Sequence, residues 1–189
     1  MGLQIIFCVE AKRSSKSDYV YIKATVEHLY TIDRANTRLS PIYMDGKGNY
    51  CTKKVLREIQ THVKQYQTAS KSNQSVVVYC FDCDDYDSKP EDRKFLESAK
   101  QYCGDNGYRF VWFCKDIENV YLGRSIPDNR KVKEAGIFAA KGMIRNIDSK
   151  VLEVRKIRKG SSNLCLVLDD YLERRPSADK KGMPWRILP

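Results

Sequence analysis

Four aspartates crowd the end of one apolar run. Ser75 to Asp87 reads Ser-Val-Val-Val-Tyr-Cys-Phe-Asp-Cys-Asp-Asp-Tyr-Asp, and its uncharged β-branched and aromatic half predicts a strand buried on both faces, as at the centre of a parallel sheet. Asp82 and Asp84 are two apart, so an extended chain would point both side chains the same way, where they can share one cation. The same four carboxylates, Asp82, Asp84, Asp85 and Asp87, can equally form a solvated acidic loop ahead of a helix. Two other apolar runs end in acid: Leu3 to Val9 runs into Glu10, and Tyr108 to Cys114 into Asp116 and Glu118. Carboxylates brought together repel one another unless a cation sits between them, and hard oxygen ligands suit Mg²⁺ or Mn²⁺.

The elements that must position these residues follow from periodicity. After the Leu3–Val9 strand and a polar loop, Ser17 or Asp18 can cap a helix whose Tyr19, Ile22, Val26 and Leu29 share a face. Arg38 to Met44 predicts a strand closed by the turn Asp45-Gly-Lys-Gly-Asn49, and Val55, Leu56, Ile59, Val63 and Tyr66 mark the next helix. Pro90 and Glu91 open a helix that stops near Gly104 to Gly107. This β-α-β-α-β-α-β alternation implies an open, mostly parallel sheet of about four strands with helices on both sides. In such a sheet, sites form outside the carboxyl ends of the strands, and the three acidic groups share that edge.

Glu10 after the first strand, Asp82-Cys83-Asp84 ending a later one and Glu118 opening a short helix after the next resemble the TOPRIM fold of topoisomerases, DnaG-type primases and OLD-family nucleases. More narrowly, the layout is similar to small bacterial RloB-like proteins of defence and restriction loci. The likeness covers roughly Leu3 to Leu122. It departs from the family pattern at Ala11, where a Gly usually follows the first Glu, and at Asp85-Tyr86-Asp87, where a Gly often follows the aspartate pair. What the resemblance implies is a Rossmann-like TOPRIM core over residues 1–125 and a metal-dependent nuclease. Glu10, Asp82, Asp84 and Glu118 would hold Mg²⁺ or Mn²⁺ for hydrolysis of a nucleic-acid phosphodiester. A cation is expected beside them; Lys12 is nearest in sequence, although helix-borne or C-terminal basic residues can reach the same place. The resemblance also implies an effector in bacterial defence, working beside a separate ATPase or sensor protein. An RNA-processing nuclease of the ribosomal RNA maturase type and a non-catalytic interaction module remain as alternatives.

Composition bounds the rest. A chain of 189 residues suits one domain with a small appendage, and its net charge of +10 favours phosphate-rich partners such as DNA or RNA. No apolar run approaches the ~20 residues that span a bilayer, and the start lacks a signal-peptide pattern, so a cytoplasmic location is expected. Seven Cys, an odd number with several inside strands, suggest reduced, packed thiols. Cys80-Phe-Asp-Cys83 has C-x-x-C spacing, but it interrupts a strand and lacks a second pair, which favours packing over zinc or redox chemistry. Residues 126–175 are expected to form a helical, basic extension packed on the core, with helices over Asp128–Met143 and Asn163–Arg175. Between them Lys150, Arg155, Lys156, Arg158 and Lys159 form a basic stripe that either tracks a phosphate backbone or is a solvated face. Residues 176–189 read as a flexible tail ending in Trp185, Ile187 and Leu188.

Overall fold

The computed structural model describes residues 1–176. The apolar runs become strands, with charge confined to Arg38 and to strand ends: β1 (Leu3–Val9), β2 (Thr37–Tyr43), β3 (Gln74–Asp82) and β4 (Arg109–Cys114), all parallel. A two-residue β5 (Ser161–Ser162) adds antiparallel to the end of β4, giving the order β2-β1-β3-β4-β5. The fifth strand was not expected, because two serines carry no periodicity. Pro41 lies in β2, an edge strand, where a missing amide donor costs no ladder bond. Across the middle of the sheet a fully buried Gln4 donates to Ser40 Oγ at 3.0 Å and accepts from Ser75 Oγ at 2.9 Å. Such a satisfied polar ladder holds the register of three strands where an unpaired amide would be costly.

Alternation sorts the side chains onto two faces. On one, Ile5, Phe7, Val9, Val78, Cys80, Val111 and Phe113 pack under α1 (Ser17–Leu29). On the other, Ile6, Cys8, Val77, Tyr79, Phe81, Cys83 and Trp112 pack under α2 (Lys53–Ala69) and α3 (Pro90–Asp105). Both later helices start as the residues dictate: Thr52 Oγ1 accepts from the Val55 amide, and Pro90 occupies the first turn of α3. The first face is completed by α4 (Ile117–Leu122), α5 (Asp128–Ala140) and α6 (Leu164–Leu168).

The C-terminal region departs most from expectation. The helix expected over Asn163–Arg175 is only the five residues of α6. Asn163 does not cap it, because its amide is spent on the free edge of β4, accepting from the Trp112 amide and donating to the Phe110 carbonyl, each at 3.0 Å. Further on, Arg174 pairs with Glu153 and Asp169, and the Arg175 amide donates to the Leu29 carbonyl at 2.8 Å. These contacts draw the chain across the end of α1 instead of onward as helix. α5 likewise ends at Ala140, before Met143. The tail beyond Pro176, with Trp185, Ile187 and Leu188, lies outside the described residues, among which no helix is long and apolar enough to cross a membrane.

Strand order decides where a site can form. From β1 the chain steps to β2 on one side, then crosses back beyond β1 to β3. The connections therefore diverge at the β1/β3 boundary and leave a crevice outside the carboxyl ends of those strands. Glu10 and Asp82 stand there.

Candidate functional site

Two strand ends and a helix start are tied together through Glu10 and Asp82. The Asp82 amide donates to Glu10 Oε1 at 2.9 Å, and the Ile117 amide donates to Asp82 Oδ1 at 3.0 Å. Each bond uses an amide that the strand or helix terminus leaves free, so β1, β3 and the start of α4 hold one another in place. Above them opens a cavity of about 620 Å³ whose lining includes Glu10, Asp18, Asp82 and Lys131. Glu118 lies behind, fully buried on α4, and its two carboxylate oxygens have no hydrogen-bond partner. Lys131 Nζ on α5 approaches Glu118 Oε2 at 3.5 Å.

The electrostatics follow from that crowding. Burial pushes Glu10 up to about 8, with Asp18 and Asp84 adding to the rise and the Asp82 amide opposing it. Burial raises Glu118 to about 7, against the pull of Lys131. Asp82 is raised well above the usual range by burial and then by Glu10, Asp18 and Glu118. Asp18 is raised by burial even though the Ala11 amide and Ser17 hydroxyl bond to it. Three carboxylates thus line a half-enclosed space with Glu118 buried behind them, Lys131 is the cation that acts on Asp82, Asp18 and Glu118, and all four hold protons more tightly in consequence.

The structure gathers Glu10, Asp82 and Glu118 in this way and corrects two other expected positions. Asp84 does not point with Asp82. The strand ends at Asp82, and Asp84 takes a left-handed backbone (φ 48°) that turns its carboxylate to Lys47 in the β2–α2 turn. Lys47 also binds Asp92 at 2.9 Å, while Asp85 pairs with Lys89 and Lys115, each at 2.6 Å. Lys12 is largely exposed on the loop after β1, at 3.9 Å from Asp45. It reaches the cavity rim but not the carboxylates; Lys131 takes the inner position. Asp116 is spent as the cap of α4, bonding the Asn119 amide and the Ser125 hydroxyl at 2.6 Å each.

Two members were missed. Asp18 reads as an ordinary first-turn acid of α1, but its Oδ2 accepts from Ala11 across the loop at 2.8 Å and faces the cavity. The signal available was its closeness to Glu10. Lys131 offered none beyond a basic residue on a helical face, since only the packing of α5 against α1 brings it in.

Among the described residues, no three His, Cys, Asp or Glu side chains are already drawn tightly enough to hold a metal ion. Lys131 stands among the carboxylates, and Glu10, Asp82 and Asp18 each commit one oxygen to a backbone amide. The donor chemistry nevertheless fits a hard divalent cation. The second oxygens of Glu10 and Asp82 are left over from those amide bonds, and Glu118 keeps two buried oxygens without a hydrogen bond, a costly arrangement that a cation would satisfy.

The basic stripe is a separate surface. Lys150, Arg155, Lys156, Arg158 and Lys159 are all exposed, and none forms an ion pair within the described residues. Val154 and Ile157 anchor the segment to the α2/α3 face, and the Gly160 amide donates to the Cys114 carbonyl at 2.5 Å. Arg158 and Lys159 therefore arrive at the carboxyl end of β4, the same edge that carries the acids. No family model, curated protein or solved structure matches the chain, so the geometry of this edge is what bears on function.

Proposed function

We propose that the chain is a divalent-metal-dependent nuclease of TOPRIM type, with Mg²⁺ or Mn²⁺ held by Glu10, Asp82 and Glu118 and with Asp18 beside them. The observation that carries this reading is the under-neutralised carboxylate cluster at the β1/β3 crevice, where both buried oxygens of Glu118 lack a hydrogen-bond partner and only Lys131 stands near one of them. Bound there, a divalent ion would supply water activation and compensate charge on the phosphodiester oxygens. The protein's part is positioning. The Asp82 and Ile117 amides fix the carboxylates of Glu10 and Asp82, and Lys131 offers a positive charge at the cavity wall toward which a phosphate can be drawn. The exposed stripe from Arg155 to Lys159 continues the same edge and supplies cations for the rest of a nucleic-acid strand.

Cleavage of single- and double-stranded DNA and RNA with Mn²⁺, Mg²⁺ or chelator tests this, with Glu10→Gln and Asp82→Asn as variants. The parent is expected to cleave at least one substrate only with the divalent ion. Both variants should fold, and rates should fall on the order of 10³-fold, the equivalent of about 4 kcal/mol of lost transition-state stabilisation. Variants that fold and cleave as fast as the parent sink the assignment. Nucleic-acid binding without any divalent-dependent cleavage favours a non-catalytic binding module instead.

A further inference from the structure

The opposite face of the same edge carries two thiols. Cys83 follows the last residue of β3, and Cys114 closes β4. Asp82 stands opposite Phe113 in the register of these strands. Just past the strand end the Cys83 amide donates to the Phe113 carbonyl and the Asp84 amide to the Lys115 carbonyl, each at 2.8 Å. That step sets Cys83 beside Cys114. Both pack with the α2/α3 face. Cys80 belongs to the other face, so the C-x-x-C spacing joins two residues that the pleat points apart, and the true neighbour of Cys83 is on the next strand.

Neighbouring strands lie about 4.8 Å apart, within the ~4.4–6.8 Å between Cα atoms that a disulfide spans. Cys83 is 1 % exposed, whereas Cys114 is half-buried. One sulfur can thus be reached from solvent, and the other waits behind it. We propose that Cys83 and Cys114 form a reversible dithiol–disulfide site that takes hydrogen peroxide as its oxidant.

The Cys114 sulfur attacks one peroxide oxygen, forming an S–O bond as the O–O bond breaks. The departing hydroxide takes up the thiol proton and leaves as water. The Cys83 sulfur then attacks the Cys114 sulfur; the S–S bond forms, the S–O bond breaks, and the hydroxyl leaves with the Cys83 proton as a second water. Two thiols have given up two electrons and two protons, and one peroxide has become two waters. The new bond would lock the end of β3, which bears Asp82, to the end of β4, which leads into Glu118.

Cys51 is an exposed free thiol, so the test uses the full chain carrying Cys51→Ser. The protein is treated with equimolar hydrogen peroxide, its remaining thiols are blocked, and its peptides are mapped by mass spectrometry without reduction. The expected product is a Cys83–Cys114 linked peptide pair, with two thiols lost per chain and both recovered with dithiothreitol. Adding Cys114→Ser should abolish the linkage. Adding Cys83→Ala should leave Cys114 at the sulfenic acid, which a second equivalent of peroxide carries to the sulfinic acid. Accumulation of Cys114 sulfenic or sulfinic acid beside a free Cys83 in the Cys51→Ser protein overturns the proposal, as does linkage of either residue to another cysteine or no thiol loss. The readout is covalent, so it stands whether or not the edge cleaves nucleic acid.

Discussion

Two acidic groups meet around the end of β3, and they have opposite fates. Asp84, Asp85 and Asp92 are matched by Lys47, Lys89 and Lys115, and the carboxyls of Asp85 and Asp92 are held below the usual range, that of Asp85 near 2. Glu10, Asp18, Asp82 and Glu118 have Lys131 among them and are all pushed upward. Charge in the first group is compensated by the protein itself and fastens two loops. Charge in the second is left uncompensated beside a cavity. Residue type does not separate the two; counter-charge and burial do.

The sharpest way to break the comparison is to remove one lysine from each group. Without metal, Lys131→Met should destabilise the protein by about 2 kcal/mol, because it leaves buried carboxylates with no counter-charge. Lys47→Met should cost about 1 kcal/mol, since Asp84 stays partly hydrated. Mn²⁺ should recover most of the first loss and little of the second. Equal recovery of both, measured by urea denaturation, would show that the two groups do not differ in cation affinity.

Acidity gives the next contrast. Glu10 and Glu118 bind protons more tightly folded than unfolded, so their contribution to stability is full below about pH 4.5 and is lost as pH rises through about 7 to 8. Asp85 behaves oppositely: its contribution is present above about pH 4 and is lost as pH falls toward 2. Metal-free thermal midpoints of the parent should therefore decline between pH 6 and pH 8.5, Glu10→Gln should flatten that decline, and Asp85→Asn should not. A divalent ion competes with these protons, so its stabilising shift should be larger at pH 8 than at pH 6. An equal shift at both values would place the ion elsewhere.

The stripe from Lys150 to Lys159 mirrors the carboxylate cluster, with cations in place of acids and no ion pair for Lys150, Arg155, Lys156, Arg158 or Lys159 among the described residues. If it meets phosphate, Arg155→Ala with Arg158→Ala should weaken nucleic-acid binding and reduce the slope of log affinity against log salt by about 2. An unchanged slope leaves the stripe as a solvated face. This is the smallest effect, because the remaining lysines and Lys131 still attract the ligand.

The α/β architecture was legible in the residues because β1, β3 and β4 are apolar runs, charged at most at one end, that a doubly covered sheet buries. The shared edge of Glu10, Asp82 and Glu118 follows from parallel strands alone. What could not be read depends on tertiary contact. Asp84 turns away because the chain leaves the strand at Cys83 and Lys47 waits on a different crossover. Lys12 looked suitable by proximity, yet the loop carries it outward, while Lys131 comes from a helix set by packing on α1. Two serines at β5 and the diverted Asn163 show the same limit, since their structure is imposed by the open edge of β4.

The hydrogen bonds from the Asp82 amide to Glu10 and from the Ile117 amide to Asp82 also govern when the site comes into being. Each closes a long loop, so loop-closure entropy is spent before the contact is gained. A chain still emerging from the ribosome owns Glu10 early and Asp82 later, but it cannot orient either until β3 has inserted beside β1 and α4 has been made. The carboxylate constellation is thus a product of the finished sheet, and no half-made fragment presents it to the nucleic acid that surrounds every nascent protein.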